Sequence, residues 1–375
     1  MKIGVFFTFN TSLKKWHEYG MIDREVALYR QLAEHGHEVI FFTYGDHSDY
    51  DYQEKCGPVR IVPMYARLKN PRRSLLRYLH SFTLPFRLKE DFVAPDIYKT
   101  NQMWGSWVPG LAKFLYKKPL IIRCGYEQFR FALLMNMPWS FKIFTYVNAL
   151  LSYWIADVVV ISNEIGKEFI KKYFKVQGKK IKVQYNYVET DRFKPLTQTR
   201  ASDRILFVGR LEKQKNLFAL LDAVRQTPCT LDVVGGGRLK EELISYIKKN
   251  NIRANLLGKV SNSELPKVYN RYGVYILPSF CEGMPKTLLE AMACGLAVIG
   301  SDIEGINNII RHEVTGYLCR TDEASILEAI RTVMTDRALQ SSLGQAARTY
   351  IEETHSLDAI LQQEKEIYAN IKSGY

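Results

Sequence analysis

Two glutamates, Glu282 and Glu290, lie eight positions apart in the sequence, on either side of the predicted start of a short helix. Carboxylates accept charge-assisted hydrogen bonds from hydroxyl groups such as those of sugars. A helix start offers unpaired N–H groups and the positive end of a dipole to an anion. This combination predicts a site for a sugar joined to a diphosphate. An isolated Glu pair at this spacing is more typical of a solvated loop residue and an exposed helix residue, so the neighbouring motifs decide between the two interpretations.

The sequence around the two glutamates predicts one unit of a parallel sheet. The apolar run 274–277 predicts a buried strand, 278–285 is a turn-rich loop, and 286–293 contains good helix formers. Gly295 ends the helix, and a second apolar run follows at 296–299. Consecutive parallel strands place the loop between them at the carboxyl edge of the sheet, where open α/β sheets bind their ligands.

Two cations, Arg210 and Lys215, flank a second predicted turn. The apolar strand 204–208 precedes Gly209, and an amphipathic helix follows from Leu217. An Arg at a strand's carboxyl end and a Lys near a helix start can converge on one anion. Arg and Lys at this spacing are usually surface charges, and the preceding strand and glycine make the signal moderately specific.

A third strand and turn contain three consecutive glycines, which include Gly235 and Gly236. Glycines allow a backbone to approach a ligand closely, although a simple turn before a helix is an equally good interpretation. The spacing does not match the dinucleotide-binding fingerprint.

The unit from Leu277 to Ser301 resembles the signature of the retaining nucleotide-sugar glycosyltransferases of family 4, in which a Glu-x7-Glu motif precedes a glycine and an apolar strand. Leu296 stands where the family usually has Pro. The resemblance implies that Glu290 binds the ribose and Glu282 the transferred sugar, while Arg210 and Lys215 neutralise the diphosphate. The catalytic residues it implies are Arg210, Lys215 and Glu282. The donor-binding residues it implies are Gly209, Gly235, Gly236, Val260, Gly283, Met284, Pro285, Lys286, Thr287, Leu288 and Glu290.

Family members often carry a His after a strand of the first domain, and this chain has none at the matching place. Cys124, Gly125 or Glu127 is therefore a possible sugar or acceptor contact. We expect no metal and no cofactor, since the nucleotide-sugar is a substrate and the cations can neutralise its diphosphate. The Asp-x-Asp sequence at Asp49 and Asp51 is interpreted as a solvated loop.

Strands and helices also alternate in the first half, with a strand at 3–9, a helix at 24–35 and a strand at 38–43. Together with the resemblance, this pattern predicts the α/β GT-B architecture of two doubly wound parallel-sheet, Rossmann-like domains facing each other across a cleft. We expect a basic, acceptor-binding domain at 1–195 and a nucleotide-sugar-binding domain at 196–352. A C-terminal helix at 353–375 is expected to cross back to the first domain.

The positive charge is concentrated in the first half of the chain. Residues 1–197 hold 30 Lys and Arg against 18 Asp and Glu, whereas the remainder holds 22 against 21. The segment 67–89 has seven Lys or Arg and no acid, and its apolar residues recur at helical spacing. The aromatic-rich segment 129–154 predicts a buried or membrane-dipping helix, because polar residues and Pro138 argue against a membrane span. Ordinary core packing with a solvated basic face is the alternative to contact with an anionic membrane.

The six cysteines lack paired metal-ligand spacing and indicate reduced thiols. With no secretory leader visible, we expect a cytoplasmic protein, and peripheral attachment to the inner face of the membrane is an open alternative to a freely diffusing one. The predicted function is transfer of a sugar from a UDP- or GDP-sugar to a glycan or lipid-linked glycan, with retention of anomeric configuration, in cell-surface polysaccharide or glycolipid synthesis. The alternatives are a nucleotide-sugar epimerase of the same architecture or a basic nucleic-acid-binding protein; we expect no nucleic-acid partner.

Overall fold

The computed structural model describes residues 1–125, 127–197 and 199–373. The chain forms two compact units, and it passes between them at Tyr185 and at Ile360. The first unit contains Met1–Tyr185 and the chain from Leu361 onward, and the second contains Asn186–Ile360. The sequence-based divisions at 195/196 and 352/353 stay predictions, and residues 374 and 375 of the expected tail lie outside the described residues.

The first unit contains a seven-stranded parallel sheet of order β3-β2-β1-β4-β5-β6-β7. Its strands are β1 (Lys2–Phe6), β2 (Glu38–Thr43), β3 (Arg60–Pro63), β4 (Ile97–Thr100), β5 (Leu120–Cys124), β6 (Val158–Ile161) and β7 (Ile181–Val183). Its helices before the crossing to the second unit are α1 (Leu13–Glu18), α2 (Ile22–Glu34), α3 (Gln53–Cys56), α4 (Ser74–Ser81), α5 (Leu84–Arg87), α6 (Lys89–Val93), α7 (Trp107–Tyr116), α8 (Gln128–Leu134), α9 (Trp139–Ile155) and α10 (Glu164–Phe174).

The second unit contains a six-stranded parallel sheet of order β10-β9-β8-β11-β12-β13. Its strands are β8 (Ala201–Val208), β9 (Thr230–Val234), β10 (Ala254–Gly258), β11 (Tyr272–Leu277), β12 (Ala297–Ser301) and β13 (Tyr317–Cys319). The remaining helices are α11 (Leu217–Arg225), α12 (Lys240–Lys249), α13 (Leu265–Tyr269), α14 (Lys286–Ala293), α15 (Glu323–Thr335), α16 (Arg337–Thr354) and α17 (Leu357–Ser373). The end of α17 belongs to the first unit.

Two doubly wound parallel sheets were predicted, and the structure confirms them. The strand–loop–helix–strand unit around the glutamates is also confirmed: α14 has the predicted bounds, and β11 and β12 are adjacent parallel strands. Gly295 ends α14 because its φ of +69° lies in the left-handed region that glycine tolerates. Local patterning was sufficient here because each boundary is marked by a Pro, a Gly or a change in hydrophobic period.

The basic segment 67–89 is divided between three short helices. α4 ends at Ser81, and Pro85 lies in the first turn of α5, where its missing N–H costs nothing. The aromatic segment forms α8 and α9. Pro138 lies between the two helices, at the N-cap position of α9. Within the described residues, no helix combines the length and apolar character needed to cross a bilayer.

Candidate active site

The two glutamates occupy the loop after β11 and the helix α14 that follows it. Both are buried: Glu282 is 9% exposed and Glu290 is 2% exposed. The interpretation of the pair as solvated surface residues is therefore wrong. Burial of a carboxylate is costly unless it is paired or hydrogen-bonded, so the partners of each glutamate define the site.

Glu282 forms an ion pair with Lys215, the cation predicted near the start of the α11 helix. Lys215 Nζ contacts Glu282 Oε1, with side-chain exposures of 11% and 8% for the two residues. Ser279 Oγ donates to the same carboxylate oxygen at 2.7 Å. The two motifs, 67 residues apart in sequence, thus meet at the carboxyl edge of the second sheet.

Arg210 lies two residues after the end of β8, next to the predicted turn, and its side chain is exposed. Among the described residues it has no ion-pair partner, and it does not join the contact between Lys215 and Glu282. Of the two predicted cations, Lys215 is therefore already paired with a carboxylate, whereas Arg210 faces solvent.

Glu290 is held by a residue that the sequence did not single out. The Tyr269 hydroxyl donates to Glu290 Oε2 at 2.9 Å and lies 3.2 Å from the carbonyl oxygen of Thr287. The Tyr275 hydroxyl contacts Thr287 Oγ1 at 2.9 Å. Two buried phenols therefore lie against the first turns of α14.

The loop before α14 is held by contacts at Glu282 and Met284. Asn186 Nδ2 donates to the Met284 carbonyl oxygen at 2.8 Å. A Cβ on Gly305 would lie 2.4 Å from the Glu282 carbonyl oxygen, and the φ of Gly305 is +86°. Asn186, Gly305 and Tyr269 were missed as site residues because only the fold brings them to this loop, whereas Ser279 belongs to the loop and lies three residues before Glu282.

The predicted amide site at the start of α14 is partly occupied by the helix itself. The N–H of Leu288 donates to the Pro285 carbonyl oxygen at 3.1 Å, so this amide must exchange partners before it can bind a diphosphate. Met284, Pro285 and Leu288 are buried, whereas Gly283, Lys286 and Thr287 are half-buried. Val260, expected to face the base, is half-buried just after β10.

The glycine turn has a packing role that is visible in the structure. The N–H of Gly209 donates to the Val234 carbonyl oxygen at 2.9 Å, and a Cβ on Gly235 would lie 1.8 Å from the Gly209 carbonyl oxygen. On Gly236, a Cβ would meet the Lys259 side chain at 2.8 Å. The close approach that these glycines permit is thus between two turns of the protein, and their contact with a donor stays a prediction.

The first-unit candidates lie at and just after the carboxyl end of β5 and take part in local packing. Cys124 is 1% exposed, and the Gly125 N–H donates to Gln102 Oε1 at 3.0 Å. Glu127 is 3% exposed and caps α8, where its Oε2 accepts from the Arg130 N–H at 2.5 Å. Burial raises the pKa of Glu127 to about 7, against the opposing effect of the N–H groups at the helix start. A sugar or acceptor contact by these residues stays a prediction.

The interpretation of the Asp-x-Asp sequence as a solvated loop is wrong for Asp49. This residue is fully buried, and its carboxylate accepts hydrogen bonds from the Thr43 hydroxyl and the Lys14 N–H. Desolvation raises its pKa. Over the described part of the chain, no three His, Cys, Asp or Glu side chains cluster as metal ligands.

Solved structures with the same fold cover nearly the whole chain. Anabaena HepE in complex with UDP has a TM-score of 0.77 at 18% identity, covering 99% of this chain and 100% of that one. Sucrose-phosphate synthase from Thermosynechococcus elongatus has a TM-score of 0.81 at 19% identity, covering 100% of both chains. These likenesses show the class of the protein, a two-domain α/β GT-B fold.

Two family models match consecutive parts of the sequence. The model described as Glycosyltransferase Family 4 matches residues 26–192, and that described as Glycosyl transferases group 1 matches residues 189–350. The chain belongs to the group 1, family 4 glycosyltransferases of GT-B fold. The resemblance predicted from the Glu-x7-Glu unit is confirmed.

Relatives of known activity match about half of the chain. The N-acetylgalactosamine-N,N'-diacetylbacillosaminyl-diphospho-undecaprenol 4-alpha-N-acetylgalactosaminyltransferase of Campylobacter jejuni is 28% identical over 201 residues, 52% of this chain and 55% of the relative. The UDP-Gal:alpha-D-GlcNAc-diphosphoundecaprenol alpha-1,3-galactosyltransferase of Escherichia coli is 29% identical over 202 residues, 48% of this chain and 52% of the relative. The chain thus spans about half the length of these curated relatives.

Proposed function

We propose that this protein transfers a sugar from a UDP-sugar to a glycan or lipid-linked glycan, with retention of anomeric configuration. The observation that carries the proposal is the buried pair of Lys215 and Glu282 at the same sheet edge as the buried Glu290. UDP is preferred to GDP because HepE was solved with UDP and with UDP-glucose. Neither the epimerase nor the nucleic-acid alternative is favoured by a specific contact.

The chemistry requires stabilisation of a leaving diphosphate. The bond between the anomeric carbon and the phosphate oxygen breaks, and the acceptor oxygen forms its bond to that carbon on the same face. The acceptor proton passes to the leaving diphosphate. Lys215 has three N–H donors, so it can remain paired with Glu282 and still donate to a phosphate oxygen. The exposed side chain of Arg210 can bind the same phosphate. Charge stabilisation by these groups lowers the barrier without a side-chain base.

The division of roles follows from the position of each carboxylate. We assign Glu282 to hydroxyls of the transferred sugar, since its counter-ion Lys215 would bind the adjacent phosphate. Glu290, four residues into α14, is assigned to the ribose. We also propose that transfer is independent of metal, because Arg210, the N–H donors of Lys215 and the start of α14 can together bind the diphosphate.

A thermal-shift panel with UDP, GDP and UDP-glucose tests the donor assignment. We expect UDP and UDP-glucose to raise the melting temperature of the wild type and to lose this effect in Glu290→Ala. Glu241→Ala, an exposed glutamate on α12, is the matched control and keeps the shift. Absence of a shift with every nucleotide in the wild type would contradict the proposal. Transfer that persists in EDTA would support independence from metal.

We propose further that the acceptor is lipid-linked and that the first unit contacts an anionic membrane. Trp139 and Trp154 at the two ends of α9 are 76% and 73% exposed, and Leu75 on α4 is 69% exposed. The other exposed apolar side chains of α9 are Phe141, Ile143, Phe144, Val147, Leu150 and Leu151. A patch of this extent on one helix is typical of an interaction surface, and tryptophans favour the bilayer interface.

Basic residues accompany this apolar surface. Exposed Arg and Lys side chains lie before and after α4 in the sequence, and each adds roughly 1 kcal/mol near an anionic surface. The exposed set comprises Arg67, Lys69, Arg72, Arg73, Arg87 and Lys89. The relatives from Campylobacter jejuni and Escherichia coli are named for undecaprenyl diphosphate-linked acceptors, which favours an acceptor of this kind.

Co-flotation with vesicles tests the membrane contact. We expect binding to vesicles containing phosphatidylglycerol, weaker binding to phosphatidylcholine alone, and loss of binding in Trp139→Ser/Trp154→Ser. Ile244→Ser, an exposed apolar residue of α12 in the second unit, is the control. Equal flotation of the double variant and the wild type would exclude α9 as the contact.

A further inference from the structure

Each carboxylate of the Glu-x7-Glu pair receives a hydrogen bond from a buried hydroxyl group. Tyr269, at the end of α13, donates to Glu290 Oε2 at 2.9 Å, and Ser279, in the loop after β11, donates to Glu282 Oε1 at 2.7 Å. Both donors are 0% exposed. The Tyr269 bond joins α13 to α14, whereas the Ser279 bond lies within one loop, three residues before Glu282.

Tyr269 is fixed from several sides. Its ring packs against Phe193 and Tyr275, with centroid distances of 6.1 Å in each case. Burial raises its pKa well above the ordinary value for a phenol, and the adjacent Glu290 acts in the same direction. The hydroxyl therefore remains protonated and keeps its role as a donor to the carboxylate across the physiological pH range.

Ser279 is fixed through its backbone. Ser301 Oγ donates to the Ser279 carbonyl oxygen at 2.6 Å, which ties the loop to the end of β12. Ser279 and Lys215 both contact Oε1 of Glu282. Both of these contacts are made to Oε1, and neither is made to Oε2.

We infer that Tyr269 and Ser279 are positioning residues that orient the two carboxylates separately, Tyr269 for the nucleoside ribose and Ser279 for the transferred sugar. The inference rests on the proposed function. It extends the proposed function, because it assigns the nucleoside part and the sugar part of donor recognition to two different hydroxyls. Loss of one hydroxyl then affects one part of the donor and leaves the other unchanged.

Calorimetric titration of UDP and UDP-glucose into three variants tests this separation. Tyr269→Phe is expected to weaken UDP and UDP-glucose alike, by about tenfold for the loss of one charge-assisted hydrogen bond. Ser279→Ala is expected to leave UDP affinity within about twofold while weakening UDP-glucose by about tenfold. In steady-state kinetics, we expect Ser279→Ala to raise the KM for the donor or to lower kcat, while the inhibition constant of UDP stays unchanged.

Tyr275→Phe is the matched control, because it removes a buried phenol that contacts Thr287 and neither carboxylate. We expect it to lower the melting temperature without changing the ratio of the two affinities. If Ser279→Ala weakens UDP and UDP-glucose equally, or if Tyr269→Phe binds UDP as the wild type does, the positioning roles are overturned. A wild type that binds neither ligand would instead overturn the proposed function, and this inference with it.

Discussion

Lys215 and Glu282 are both almost fully buried, and each is the counter-ion of the other. Removing one member of such a pair leaves an uncompensated charge in a poorly solvated site, which costs about 3–5 kcal/mol in typical cases. The pair is therefore expected to contribute to stability before any ligand binds. Its proposed role in donor binding must be separated from this effect.

The first prediction concerns Lys215→Gln. We expect this variant to lose about 3 kcal/mol of unfolding free energy and to lose UDP binding, because the buried Glu282 carboxylate loses its counter-ion. Urea unfolding and calorimetric titration measure the two effects. Lys213→Gln, an exposed lysine in the same turn, should change neither. Unaltered UDP affinity in Lys215→Gln would remove Lys215 from the donor site.

Glu127 is a second buried carboxyl, and its titration has a defined sign. Its folded-state pKa of about 7 exceeds the ordinary value of 4.5. The fold therefore favours the protonated form, so stability is fully present below about pH 4.5 and is lost as the pH rises through 7. The shift corresponds to about 3 kcal/mol.

We accordingly predict that Glu127→Gln is more stable than the wild type at pH 8, by up to about 3 kcal/mol, and equally stable near pH 4.5. The amide oxygen can still cap α8. Melting temperatures from pH 4.5 to 8 provide the measurement. If transfer activity survives in the stabilised variant, Glu127 acts only as a helix cap, whereas loss of activity would support its predicted contact with sugar or acceptor.

At the scale of elements, the turns after β8 and β9 lie directly against each other. Gly235 has a φ of +145°, and its place beside the Gly209 carbonyl oxygen leaves no room for a side chain. The turn that leads to Arg210 and Lys215 therefore depends on a glycine from the neighbouring strand. The close packing of the two turns is sufficient to explain why position 235 is a glycine.

We predict that Gly235→Ala lowers the melting temperature and weakens UDP binding, because the added Cβ must displace the Gly209 turn. Gly258→Ala is the matched control: its φ is +79°, but a Cβ there would meet nothing within 4 Å. It should cost only the backbone strain of about 1 kcal/mol and leave UDP affinity unchanged. Equal effects of the two substitutions on UDP affinity would show that the turn contact is unimportant.

At the scale of the whole molecule, the C-terminal chain returns to the first unit after the second is complete. Glu364 of α17 forms an ion pair with Lys99 of β4, and the two residues are 1% and 0% exposed. Burial lowers the pKa of Lys99, and the neighbouring Glu364 opposes this shift. Lys99 Nζ also lies 5.4 Å from the Tyr29 ring centroid. The first unit is thus completed by residues from the far end of the chain.

Glu364→Gln should therefore destabilise the first unit by about 3–5 kcal/mol, because Lys99 loses its counter-ion. The double variant Lys99→Met/Glu364→Leu should recover much of this loss, since neither charge remains. Urea unfolding followed in the single and double variants measures the coupling. Glu366→Gln, exposed on the same helix, serves as the control. Additive losses in the double variant would contradict a direct pairing.

The sequence by itself determined the family, the two parallel-sheet units and the bounds of α14, because these depend on local period, on Gly and Pro positions and on one motif. It also identified Lys215, Glu282 and Glu290 as candidate residues of the donor site. The tertiary structure decided which groups they touch. Lys215 meets Glu282 across 67 residues, and Lys99 meets Glu364 across 265.

Burial was also decided by the fold alone. Asp49 was expected to be solvated and is buried, and α9 was considered for the core but exposes its tryptophans. Tyr269 carries no signal in its spacing, because its hydroxyl meets the Glu290 carboxylate only when α13 and α14 are packed together, whereas Ser279 meets Glu282 within one loop, three residues along the chain. Side-chain chemistry is local in the chain, whereas desolvation and contact depend on everything that folds around it.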